Sequence, residues 1–378
     1  MWEPSGIFSK FVLRTPVILH GKSPFRGLKN FSGTKVAVIH GRSLSDYARE
    51  KIKATFSSLD IQFFLRSWKN EPSLSEIQET LEVIEEYKPD IFLAIGGGSV
   101  IDGAKIIRMY YEFPFFSSKS RYNDLLTFST KFIVVPTTIG SGAEISSASV
   151  LYNDIEKTKE FIISHAFIPD VIVLDSNLIL ESPKNLLFQS LLDAISHIVE
   201  GYVSKLDNII INAYAEKALQ LINNNWEIFL KDNNEEAALN LQFAAVLAGA
   251  VQNHCIVGAA HGLAHQLSSY NFGHSTAIAI VLKQVIIANS QNPETNRKYE
   301  MLSKSAGLTP SKEGLLDLIT KIKNVALIES EIVRFKSLRI EILRNEQFFK
   351  NAIEDIGAKG NPISLTQEFY HNILISIE

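Results

Sequence analysis

Over the first half of the chain, short apolar runs alternate with longer stretches whose apolar residues recur at helical spacing. Residues 11–20 read as short extended segments interrupted by Pro16. Lys35 to Ile39 is a compact β-rich run that closes at His40-Gly41-Arg42-Ser43, a strand followed by a turn. Helical spacing follows from Asp46 to Ser57, a strand from Ile61 to Leu65, and an amphipathic helix from Ser73 to Tyr87. Ser73 and Glu76 form a capping-box pattern at the start of that helix. Further strands are expected at Asp90 to Ile95, Lys131 to Val135 and Val171 to Asp175. Strands alternating with helices predict a mostly parallel, Rossmann-like sheet with helices on its faces.

From about Pro183 the strand signal stops. Ile209 to Leu221, Glu235 to Val257, Pro310 to Val325 and Ser337 to Ile356 all carry the helical period. The pattern divides the chain into an α/β domain, residues 1–180, and an all-helical domain, residues 181–378. A length of 378 residues agrees, since a single core rarely keeps growing to that size.

Composition narrows the partners. A net charge of −4 gives no basic footprint for nucleic acid. Apolar runs fall short of the roughly 18 residues that a membrane-spanning helix needs. The N-terminal residues lack the layout of a secretory signal. One cysteine, Cys255, excludes an internal disulfide framework and a cysteine-based zinc site, and fits a cytoplasmic protein.

Candidate chemistry gathers in three places. The strand ending at Ile95 runs into Gly96-Gly97-Gly98-Ser99-Val100-Ile101-Asp102 and then a helix carrying Lys105. Glycines at a helix N-terminus let backbone N–H groups approach a pyrophosphate, although a glycine turn can equally be only a tight connection. Pro136-Thr137-Thr138 through Gly142-Ala143-Glu144 suits a loop touching phosphate, ribose or ring, or a plain turn. Asp193 and His197 stand at i and i+4 on one helix, as do His261 and His265, and His274 follows after a turn-rich stretch. A carboxylate and several imidazoles on two helices and a loop point to a divalent metal site. Gln252, His254 and Tyr152 are candidate polar contacts for a polar substrate.

In order and spacing these stretches resemble the iron-containing (group III) alcohol dehydrogenases, relatives of lactaldehyde reductase and glycerol dehydrogenase. Ile168-Pro169-Asp170, Asp193-Ala194 through His197 and Glu200, and Asn361-Pro362 extend the match along nearly the whole chain. The resemblance implies a dehydroquinate synthase-like architecture with the active site between a dinucleotide-binding domain and a helical domain. It implies Asp193, His197, His261 and His274 as ligands of Fe(II) or Zn(II), with His265 beside the nicotinamide and substrate. Gly97, Gly98 and Ser99 would hold the pyrophosphate, Asp102 would stand near the nicotinamide end, and Thr137, Thr138 and Lys159 would flank the cofactor. It also implies a homodimer, with the early extended segments as the contact.

Where many members of that family carry Asp at the end of the first strand, this chain has Gly41, then Arg42 and Ser43. Losing the carboxylate removes its repulsion of a 2′-phosphate, and a nearby Arg can pair with one, so NADP(H) is favoured over NAD(H). The family's small Gly before the metal-binding Asp is replaced within Ser190-Leu191-Leu192, and the Gly after the last His is Ser275. The implied activity is reversible hydride transfer between a nicotinamide and a small aldehyde or alcohol. The competing reading is a dehydroquinate synthase-like lyase, which needs a basic cluster for its anionic substrate. Only Lys159 and Lys205 lie near the site by sequence.

Overall fold

A computed structural model describes residues 14–68, 72–116, 126–153 and 158–378. Its strands are β1 (Val17–Leu19), β2 (Lys35–His40), β3 (Asp60–Leu65), β4 (Ile91–Gly96), β5 (Lys131–Pro136), β6 (Ala148–Asn153), β7 (Thr158–Ile163) and β8 (Val171–Val173). Six of them form one parallel sheet in the order β1-β8-β5-β4-β2-β3. β4 and β8 are buried throughout, as are all but the first residues of β2 and β5. That explains why these strands read as unbroken apolar runs rather than alternating ones.

Three helices accompany the strands: α1 (Asp46–Thr55), α2 (Leu74–Tyr87) and α3 (Gly98–Glu112). The capping box at α2 is formed as the sequence predicts, with Ser73 and Glu76 exchanging bonds. α3 follows β4 with almost no connection, so its N-terminus opens at the carboxyl edge of the sheet, where ligands of such folds bind. The sequence reading did not foresee β6 and β7, which pair antiparallel as a separate hairpin. Their alternation is masked by serines and charges, and the segment joining them, residues 154–157, lies outside the described residues.

After β8 every element is helical. α4 (Ser176–Leu180) and α5 (Lys184–Tyr202) are followed by α6 (Ile209–Asp232), α7 (Glu235–Cys255), α8 (Ala259–Leu267) and α9 (His274–Asn289). Five more helices run between Pro293 and Ile375. The single segment expected from Ser337 to Ile356 is two helices, Glu329–Arg344 and Glu346–Glu354. They break at Asn345, whose side chain accepts from Phe348 N and caps the second helix. α5 is buried on nearly every side from Leu187 to Tyr202, so its polar residues face protein rather than water.

Two contacts fasten the helical elements to the sheet's carboxyl edge. Gly142, at φ +64, and Gly249 on α7 meet backbone to backbone, and a Cβ on either would collide with the other's Cα. Ser190 on α5 makes the second contact: its Oγ accepts from Ile139 N at 3.2 Å and donates to Leu187 O at 2.8 Å. The loop after β5 is thereby tied to the helix that carries Asp193. No single helix among the described residues is long and apolar enough to cross a membrane.

Candidate metal centre and nucleotide edge

Asp193 and His197 lie one turn apart on α5, His261 lies on α8, and His274 is the first residue of α9. The sequence reading put His274 on a loop; Gly273 instead N-caps a helix at that point. Asp193 Oδ1 stands 3.6 Å from His197 Nε2, 3.7 Å from His261 Nε2 and 3.4 Å from His274 Nε2. Asp193, His261 and His274 form the tightest ligand-like group, and His197 stacks on His261 with ring centroids 4.9 Å apart.

Those separations are too long for good hydrogen bonds. They are the right length for an edge of a coordination polyhedron, because ligand atoms about 2.1 Å from one tetrahedral ion stand roughly 3.4 Å apart. Asp193 Oδ1, His197 Nε2 and His261 Nε2 are buried with no hydrogen-bond partner, as is His197 Nδ1. An orphaned buried polar atom costs roughly 1–3 kcal/mol, so several at one point call for a compensating group. The donor set, one carboxylate and three imidazoles, suits Fe(II) or Zn(II).

Electrostatics keep the donors in ligand form. Burial opposes ionisation of Asp193, but the imidazoles of His197, His274 and His261 outweigh it and hold the carboxyl below its usual range. Burial pushes His197 down to about 3 and pulls His261 well below its usual value, so both rings stay neutral. The His274 side chain is 31% exposed against 1–3% for the other three, so the cluster opens on that side.

Two carboxylates outside the cluster aim the rings. Glu200, one turn beyond His197, accepts from His261 Nδ1 at 2.6 Å and from Ala260 N at 2.7 Å. α7 and α8 meet at a bend of 98°, with Ile256 at φ 51, and Gly258 offers no side chain to cap α8. Glu200 and Asn361, whose Oδ1 accepts from Ala259 N at 3.2 Å, do that capping from elsewhere in the fold. Burial nevertheless raises Glu200 to about 7. With His261 Nδ1 donating to Glu200, its Nε2 lone pair faces Asp193. His265 Nδ1 lies 2.9 Å from Asp355 Oδ2, and its ring stacks at 5.5 Å on His274 and packs at 5.4 Å on Phe161 of β7. Burial opposes ionisation of Asp355, yet His265 keeps the carboxyl below its usual range. The sequence reading missed Asp355, ninety positions from its partner and outside any spacing rule.

The nucleotide candidates gather at the carboxyl edge of the sheet. Gly97 N-caps α3, with Gly98 and Ser99 in its first turn, and the Thr138 methyl lies 3.2 Å from where a Gly97 Cβ would stand. A side chain at Gly98 would run into Ser141, so the glycines fill a cradle that larger residues would close. Thr137 N donates to Gly96 O at 3.0 Å. Gly41, Arg42 and Ser43 follow β2, and a Gly41 Cβ would stand 3.6 Å from Val100. Asp102 pairs with Lys105 at 3.6 Å, and the buried ammonium also donates to Ser146 O and Ala148 O. Asp102 and Lys105 therefore hold α3 to the loop before β6. Lys159 sits on β7 opposite Tyr152, and its side chain lies outside the described residues. Of the polar substrate candidates, His254 Nδ1 is 2.7 Å from Ala250 O, while Gln252 Oε1 is buried without a hydrogen-bond partner.

Comparison with known proteins bears on this arrangement. The family model described as iron-containing alcohol dehydrogenase matches residues 17–176. That described as the C-terminal part of the Fe-containing alcohol dehydrogenase family matches residues 188–377. An NADPH-dependent butanol dehydrogenase of Clostridium saccharobutylicum is 27% identical over 357 residues, covering 90% of this chain and 89% of the relative. The bifunctional aldehyde-alcohol dehydrogenase AdhE of Escherichia coli is 28% identical over 314 residues, 74% of this chain but only 35% of that longer protein. In fold, the chain superposes on an iron-containing alcohol dehydrogenase from Thermococcus thioreducens with a TM-score of 0.85 at 23% identity, covering 96% of this chain and 98% of that one.

Proposed function

Because the chain belongs to the iron-containing alcohol dehydrogenase family, and so is a metal-dependent alcohol dehydrogenase, we propose that Asp193, His197, His261 and His274 are its metal ligands and NADP(H) its preferred nucleotide. The observation that carries the ligand set is the convergence of His197 Nε2, His261 Nε2 and His274 Nε2 on Asp193 Oδ1 at 3.4–3.7 Å, with the first two nitrogens buried and without a hydrogen-bond partner. When bound, the ion supplies Lewis-acid stabilisation of the charge that grows on the substrate oxygen, and the nicotinamide supplies or accepts the hydride.

The chain's own residues do the rest. Glu200 fixes the tautomer and orientation of His261. His265, steered by Asp355, is the proposed carrier of the proton between bulk water and the alcohol oxygen. Phe161, whose ring packs at 5.4 Å on His265, is the proposed shield of that ring from water. At the nucleotide end the first-turn N–H groups of α3 are the proposed seat of the pyrophosphate, flanked by Thr137, Thr138 and Lys159. Gly41 places no carboxylate at the end of β2, and Arg42 follows it, which supports the choice of NADP(H). Residues 1–180 are the proposed nucleotide-binding domain and 181–378 the metal-binding domain, a division supported by the end of the last strand at Val173. A small aldehyde or alcohol as substrate, a homodimer and a cytoplasmic setting complete the reading on the strength of the family. The lyase alternative draws no support from the relatives.

Turnover of NADPH and NADH with short aldehydes, followed at the nicotinamide absorbance, tests the reading. Faster oxidation of NADPH that collapses with a chelator and returns with Fe(II) or Zn(II) is expected. A strong preference for NADH overturns the nucleotide assignment alone.

A further inference from the structure

Arg66 belongs to no motif, yet it reaches into the nucleotide edge. β2 and β3 run parallel with His40 opposite Leu65, and Arg66 N donates to His40 O at 3.0 Å. The backbone of Arg66 therefore stands beside the turn at Gly41. Its Nη1 donates to Ser99 Oγ, 2.7 Å away on the first turn of α3. The side chain thus crosses the end of β2, from the outer strand to the glycine turn, where Gly41 raises no side chain of its own. Ser99 Oγ also accepts from Trp68 Nε1 at 3.1 Å, so the hydroxyl is oriented from two sides.

The guanidinium is short of partners. Arg66 Nε is buried with no hydrogen bond. Glu76, the acid whose charge is felt at Arg66, is engaged by Ser73, whose N and Oγ lie 3.2 and 2.8 Å from Glu76 Oε2. Burial, then the charge of Arg42, pulls the Arg66 guanidinium below its usual pKa, while Glu76 opposes them. Arg42 follows Gly41 in the turn that the Arg66 backbone flanks, and its charge is felt at Arg66; two guanidinium groups flanking one turn suit a dianion.

We propose that Arg66 is a specificity-determining residue whose guanidinium, with that of Arg42, grips the 2′-phosphate of NADP(H) over Gly41. This rests on the NADP(H) reading and deepens it, by assigning the discrimination to a residue of β3's far end as well as to the turn after β2.

NADP⁺ and NAD⁺ differ only by the 2′-phosphate, so their dissociation constants, measured by calorimetry on the full chain, isolate it. Wild-type protein should bind NADP⁺ more tightly. Arg66→Met should weaken NADP⁺ by about 10- to 100-fold, as expected for losing a charged hydrogen-bonding partner, and NAD⁺ by less than about threefold. Arg66→Lys keeps the charge but loses the planar fork, so it should fall between the two. It also serves if the methionine variant fails to fold. A wild-type protein indifferent to the 2′-phosphate overturns the NADP(H) reading, and the proposal with it. A wild-type preference that survives in Arg66→Met and Arg66→Lys overturns the proposal and leaves the reading standing on Arg42. Equal weakening of both nucleotides also overturns it, reducing Arg66 to a prop for Ser99.

Discussion

The proposed metal site around Asp193 is built from side chains; the proposed nucleotide seat around Ser99 is built from backbone and from side chains that are missing. The proposed metal centre takes its four donors from α5, α8 and α9, all packed in the helical core, and three of the four are almost wholly buried. The proposed nucleotide edge would use Gly97, Gly98 and Gly41, with Arg42 and Arg66 arriving from the partly exposed ends of β2 and β3. The difference follows from the ligands. A small ion needs a few atoms held within tenths of an ångström, which buried helices supply. A dinucleotide spreads its charge over phosphates, which N–H groups and guanidinium groups can meet along an open edge. Damage should accordingly be all-or-none at the first site and graded at the second.

The largest effect should come from His261→Ala. The variant loses a ligand and strands Glu200, so kcat/KM should fall by about a thousandfold or more, and the purified protein should hold little metal. A variant that keeps full turnover after exhaustive chelation would break the contrast. Glu200→Gln keeps the size of the side chain but removes the charge that fixes the His261 tautomer. Metal affinity should fall about 10- to 100-fold, read by titration with a competing chelator, while nucleotide affinity stays put. Equal losses of both would mean that Glu200 acts through the overall fold as cap of α8. The graded responses expected of the Arg66 variants are the smaller counterpart on the other side.

The residues that spoke from the sequence are those whose chemistry repeats at a helical interval or interrupts a strand. Asp193 with His197 and His261 with His265 announced themselves by spacing, as did Gly96-Gly97-Gly98 by following an apolar run. The parallel sheet was legible because its central strands are buried on both faces and read as continuous apolar runs. The hairpin β6–β7 was not, since half its positions are polar and it stands apart from the six-stranded sheet. Neither Asp355 nor Arg66 was legible, because each reaches its partner through tertiary packing over dozens of residues. His274 was read as a loop residue because the glycine before it suggested a turn, when that glycine is the cap of α9.

The most direct test of the account is anomalous diffraction from crystals of the protein loaded with Fe(II) or Zn(II), recorded at the metal edge. A single strong peak within bonding distance of Asp193, His197, His261 and His274 is the predicted result. A peak elsewhere, or one that leaves Asp193 and His261 uncoordinated, would contradict it.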